Sequence, residues 1–157
     1  MIVDISYDDA MRLLGDRLAD KGYMNAQFMA RSTVWLQACG YAGLGELAQA
    51  LADDPQEFLL KRSVLGLDLH NISCALIGDQ VLDDVLANGR VYLQNVRHGL
   101  FLLAGSVQHG IGIGCPVDPA FALGGERSKN PYEEKLSVAK RDGLQFDVTL
   151  WQSVTEI

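Results

Sequence analysis

Positive charge is scarce in this chain. Its 157 residues hold 13 Lys and Arg against 20 Asp and Glu, a net charge of −7. Phosphate backbones are bound by clustered cations, so nucleic acid is not an expected partner. The basic residues come only in small groups, Lys61-Arg62, Arg127 with Lys129, and Lys140-Arg141, and apart from Tyr132 no stacking aromatic is interleaved with them. Long apolar runs are also missing. The longest candidate, Gly99-Leu100-Phe101-Leu102-Leu103-Ala104-Gly105, falls well short of the roughly 18 residues that span a bilayer, so no membrane partner is expected. The stretch Met1-Ile2-Val3-Asp4-Ile5 lacks a basic region followed by an apolar one and does not read as a secretory signal. Cysteine is limited to Cys39, Cys74 and Cys115, odd in number and widely spaced. That fits free thiols in a reducing cytosol better than a disulfide framework, hence an expected cytoplasmic location.

What remains has ordinary globular proportions, 48% hydrophobic and 21% charged. A single domain over 1–157 is expected, helical over 1–54 and mixed over 58–157. Ser6 with Asp9 resembles a capping box, and Ala10, Leu14 and Leu18 follow at helical spacing until Gly22. A second helix opens at Asn25 and carries Met29, Ala30, Thr33, Val34, Trp35 and Leu36 before Gly40. It is apolar around most of its circumference and is predicted to be the central helix. Leu44, Leu47 and Leu51 mark a third, stopped by Asp53-Asp54-Pro55.

Beyond Phe58 the pattern shortens. Ile72 to Ile77 reads as a buried strand, and Asp79 as the cap of a short helix that carries Val81, Leu82, Val85 and Leu86 and ends at Asn88-Gly89. Val91 to Val96 alternates like a half-buried strand, while Leu100 to Leu103 fits either a strand or a buried helix. Ile111 to Gly125, rich in Gly and Pro, is predicted to be a long loop or an irregular strand pair and is the first surface to consider for binding. Asp142-Gly143, between Leu136/Val138 and Leu144/Phe146/Val148, reads as the turn of a hairpin. Asp147 is placed to cap a short closing helix with Trp151 turned inward.

Few residues offer chemistry. The stretch 109–115 fails the dinucleotide glycine pattern, and no Gly-Lys-Ser/Thr follows it, so it reads as an irregular turn and no cofactor is expected. No Gly-x-Ser-x-Gly is present. Asp68, His70 and Cys74 share one parity, and on an uninterrupted strand they would project from one face. No second ligand pair at short spacing completes a metal site there, so no metal is expected. His109 and Cys115 are isolated; with Asp68, His70 and Cys74 they make up the candidate ligand-binding residues. Adjacent carboxylates such as Asp8/Asp9 and Asp83/Asp84 read as caps and solvated charge.

The spacing of Ser6, Leu14, Gly22, Trp35-Leu36, Gly43-Leu44, Cys74, Asp83/Asp84, Gly99 to Leu103, and above all Asp142-Gly143, Asp147 and Trp151, resembles a family of uncharacterised bacterial proteins, domain of unknown function 3726. That resemblance implies no activity and no catalytic residue. The helical first third resembles, more faintly, the N-terminal helices of type-2 malate/L-lactate dehydrogenases. Where that family has Ser-His-Gly, this chain has Gly40-Tyr41-Ala42-Gly43-Leu44-Gly45, without an imidazole. The likeness therefore implies a distant fold relationship and no function.

The expected fold is α+β, a three-helix N-terminal unit packed on a small, mostly antiparallel sheet. The expected function is that of a non-enzymatic accessory domain binding a small molecule or a protein. The alternative is a small metabolic enzyme with a site near Asp68, His70 and Cys74. A homodimer is expected from the closeness of Met24, Phe28, Trp35, Leu36 and Tyr41, unless the segment around Trp151 folds back over that face.

Overall fold

The computed structural model describes residues 1–53, 59–110 and 132–156. They form an α+β fold in which helices dominate and four short strands make two separate pairs. Strand β1 (Ile2–Ile5) leads into α1 (Tyr7–Asp20), whose cap is the expected Ser6: its Oγ accepts from the Asp9 amide at 3.2 Å. Tyr7, Ala10, Leu14 and Leu18 form the buried stripe. Gly22, at φ +92°, takes the chain out of the helix in a conformation that disfavours side chains with a Cβ.

Helix α2 (Ala26–Ala38) is the central helix, buried from Phe28 to Leu36 apart from Arg31. It packs against α1 on one side and α3 (Gly43–Leu51) on the other. Asn25 stands at its N-cap position without capping it. Its Nδ2 instead donates to the Leu76 carbonyl at 2.7 Å, joining α2 to the next helix. Phe28, Trp35 and Leu36, from which pairing of two copies is expected, are covered within the chain, whereas Met24 is fully exposed.

The second half departs from the sequence reading. Strand β2 is only Leu67–Asp68, and the expected strand 72–77 is the first turn of α4 (Cys74–Asn88). Ser73 caps it, accepting from the Ala75 amide at 3.1 Å. Cys74, Ile77, Gly78, Val81 and Leu82 are buried along one helical stripe, so the helix expected to be capped by Asp79 is capped six residues earlier, at Ser73. Gly89 ends it as expected. Of the predicted strand 91–96, β3 keeps Leu93–Gln94, paired in parallel with β2. Leu100–Leu103 proves helical: α5 (Leu100–His109) buries every residue from Phe101 to Ser106 against α2 and α4.

The predicted hairpin at Asp142-Gly143 is also overturned. Glu133–Asp142 is α6, with two acids in its first turn and two bases in its last, matched to the helix dipole. Gly143, at φ +83°, ends this helix rather than turning a hairpin, and its amide bonds the Ala139 carbonyl at 2.9 Å. Strand β4 (Leu144–Asp147) then pairs antiparallel with β1, Ile2 opposite Asp147 and Ile5 opposite Leu144. Asp147 caps the closing helix α7 (Val148–Thr155) through the Leu150 amide at 3.0 Å. Trp151 is buried, stacks on Phe146 at 4.7 Å, and its helix covers α3. No helix among the described residues is long and apolar enough to cross a membrane.

Candidate functional site

The segments containing β2 and β3 run side by side beyond their two-residue ladder. Backbone amides of Leu67, Leu69, Asn71 and Cys74 donate in turn to the carbonyls of Tyr92, Gln94, Asn95 and Arg97, all at 2.9–3.0 Å. Where both strands end, the backbone becomes unusual. His70, Asn71, Asn95 and His98 have φ between +51° and +58°, and they are the only non-glycine residues of positive φ among those described. Asn and His tolerate this region better than most residues, yet each such residue must be held there by its surroundings.

Asp68 does the holding at His70 and Asn95. Its Oδ1 accepts from the His70 amide and from Asn95 Nδ2, both at 2.9 Å, so one carboxylate oxygen fixes both turns. These two bonds, the Asn95 one foremost, keep the Asp68 carboxyl below the usual carboxylate range and therefore ionised. Its Oδ2 lies 3.7 Å from His70 Nδ1, too far for a hydrogen bond. Beside it is a cavity of 330 Å³ lined by Lys61, Ser63, Gly66, Asp68, His70 and Gln94 together with Leu59 and Leu65. Gly66 is required there: its φ is +107°, and a Cβ at this position would stand 2.1 Å from the Tyr92 carbonyl oxygen.

Of the five candidate residues read from sequence, the structure brings only Asp68 and His70 together. Cys74 does not share their face, because the chain turns at His70-Asn71 and enters α4. It is fully buried, and burial pushes its thiol up to about 12. His109 sits exposed in the last turn of α5, outside the cavity lining. Cys115, like the loop 111–125, lies outside the described residues. Among the described residues no group of three or more His, Cys, Asp and Glu is placed to hold a metal ion.

A second polar cluster escapes sequence reading. His98 Nε2 lies 3.0 Å from Gln49 Oε1 on α3, and its Nδ1 lies 2.7 Å from the Ser73 hydroxyl. An amide oxygen only accepts, so Nε2 carries the proton and Nδ1 accepts from Ser73. Burial, aided by the Arg97 charge and opposed by Asp53, lowers the pKa of His98 and favours this neutral form. Arg97 also pairs with Asp53 just beyond α3. The Ser-His pair resembles an activated nucleophile, but Ser73 has no exposed surface and its hydroxyl also caps α4. The cluster fastens α3 to α4 and to the turn after β3.

A larger groove of 680 Å³ lies between α6 and the β1–β4 pair, with Asp4, Gln37, Glu134, Lys135, Asp142 and Gln145 on its walls. Two of its charged groups are already engaged. Asp142 pairs with Arg141 at 2.8 Å, and Lys135 Nζ reaches the Cys39 carbonyl at 3.4 Å. It has no counterpart to the pinned carboxylate of the smaller cavity. No protein-family model matches this chain, and neither a curated protein nor a solved structure is significantly similar to it.

Proposed function

We propose that this protein binds a small polar molecule in the cavity at the ends of β2 and β3, without transforming it. The observation that carries this reading is that one ionised carboxylate lining a cavity holds His70 and Asn95, two of the four positive-φ non-glycine residues among those described, with Asn71 next in the chain to His70. Strain of this kind, of order 1–3 kcal/mol per residue, persists where its surroundings over-determine it, and it clusters at ligand clamps. The ends of parallel strands are also where α/β folds commonly receive ligands. Binding is favoured over turnover because Ser73, which is hydrogen-bonded to His98, and the neighbouring thiol of Cys74 are both sealed from solvent. A cytoplasmic setting is part of the reading, supported by the free thiols of Cys39 and Cys74.

The test is a thermal-shift screen over classes of small metabolites, followed by amide NMR with each compound that stabilises the protein. A ligand at a hundred times its Kd adds about 2.7 kcal/mol, a rise of roughly 5–10 °C for a chain of this size. The expected result is a rise accompanied by shifts at Asp68, His70 and Asn95. Stabilising compounds that shift only residues elsewhere, or turnover of the bound compound by the pure protein, would defeat the proposal.

A further inference from the structure

We infer that the cavity takes a zwitterion of free amino-acid size, with Asp68 receiving its ammonium group and Lys61 its carboxylate. This rests on the binding site proposed above and names its ligand class.

Arg62, next to Lys61, has four of its five N–H donors engaged: Nε and Nη2 donate to Asp84 Oδ1 at 3.0 and 2.6 Å, Nη1 donates to the Arg90 carbonyl at 2.9 Å and Nη2 to the Gly89 carbonyl at 2.8 Å. Lys61 has no ion pair or hydrogen bond within the described residues, and it lines the cavity. On the opposite sign, Asp68 commits Oδ1 to two donors and keeps Oδ2 without a hydrogen bond to the neighbouring imidazole. A carboxylate held rigid through one oxygen presents the other in a fixed direction, which is how a charged donor is received with little ordering cost.

The two charges select by sign. A simple anion that meets Lys61 is repelled by Asp68, and a simple cation that meets Asp68 is repelled by Lys61. A molecule carrying both signs satisfies both groups at once. The volume of 330 Å³ is at the small end of ligand cavities, which excludes nucleotides and favours a compound with few heavy atoms. Gln94 adds a neutral hydrogen-bonding group, whereas the Ser63 hydroxyl already donates to the Gly66 carbonyl at 3.2 Å; the exposed Leu59 and Leu65 offer apolar surface to a side chain.

The test uses amide NMR titration of the whole protein with the common free L-amino acids. For L-leucine, the comparison compounds are 3-methylbutan-1-amine, which lacks the carboxylate, and 4-methylpentanoate, which lacks the ammonium. The expected result is an amino acid that shifts Ser63, Asp68, His70 and Gln94, with each single-charge analogue of that compound weaker by roughly tenfold to a hundredfold. Asp68→Asn keeps the Oδ1 acceptor and so keeps the turn. It is expected to weaken the amino acid by a similar factor while leaving the acid analogue no weaker. Lys61→Met is expected to weaken the amino acid and spare the amine analogue. An analogue that binds as tightly as its parent amino acid overturns the inference. So does a cavity that responds to another metabolite class and to no amino acid, in which case the binding site itself still stands. If no compound of any class shifts the cavity amides, both readings fall.

Discussion

Two glycines in α3, two positions apart, are expected to respond in opposite ways to the same substitution. A Cβ on Gly43 would lie 2.7 Å from the Thr33 carbonyl oxygen and 2.8 Å from Leu36 Cβ. Ordinary contacts of these kinds need about 3.3 Å and 3.5–4.0 Å, so α2 and α3 must separate by more than half an ångström. Neither neighbour yields easily. Thr33 and Leu36 have no exposed surface, and α2 is clamped by α1 and α5 on its other sides. Overpacking of this type costs about 1–3 kcal/mol, against which the helix preference of Ala over Gly returns at most about 1. Gly43→Ala should therefore lose about 1–2 kcal/mol, seen as a Tm lower by roughly 2–8 °C. Gly45 is the control. The nearest atom to its Cβ would be Ala42 Cβ at 4.0 Å, so the helix preference acts unopposed. Gly45→Ala should gain about 0.5–1 kcal/mol. Thermal and urea melts followed by circular dichroism measure both. A Gly43→Ala protein as stable as the parent would refute the close approach of α2 and α3.

Three further outcomes are expected. In a Cys115→Ser background, Cys39 and Cys74, whose thiols burial pushes up to about 11 and about 12, should stay unmodified by iodoacetamide near about pH 7.5 until urea is added; mass spectrometry of the native protein reads this, and prompt labelling would contradict it. His98 is held below its ordinary value of about 6.5, so the unfolded chain binds more protons there; its stabilisation is complete above that pH and is lost as pH falls through the folded value. His98→Gln should show a shallower fall of Tm than the parent between about pH 6.5 and 5, and coincident slopes would dismiss the neutral-imidazole clasp. Arg62→Ala should cost about 1–2 kcal/mol in urea melts by releasing Asp84 and two carbonyls after α4, with Arg62→Lys recovering only part because an ammonium cannot reproduce the planar fork.

The first three helices are legible in the sequence because their apolar stripes and stop signals agree, and in α1 the cap as well. Ser6 caps, Ala10, Leu14 and Leu18 face inward, and Gly22 and Gly40 stop the chain at positive φ. The reading failed at Ile72 to Ile77, where a short apolar run fits a buried strand as well as a helix. The deciding signal was present: Cys74, Ile77, Val81 and Leu82 continue the helical spacing backwards from the part already recognised. At Asp142-Gly143 a frequent turn dipeptide outweighed the charge order of the preceding ten residues, acids first and bases last, which marks a helix. The site was half legible. Asp68 and His70 lie close in sequence, so their pairing is local. The clasp of Gln49, Ser73 and His98 joins three distant segments by tertiary packing, and no spacing rule reports it.

The pairing of β1 with β4 also orders events during synthesis. Ile2 to Ile5 leave the ribosome long before their partners, Leu144 to Asp147, which lie beyond α1 to α6 in the chain. At about 5–20 residues per second, that strand waits several seconds or longer with its backbone unpaired while α1 to α3 already have the residues they need to pack. Asp4 interrupts its apolar run with a charge, a gatekeeper against edge-to-edge association during this interval. Once β4 is made, the Met1 carbonyl accepts from the Val148 amide, and an early and a late segment close on each other at the start of α7.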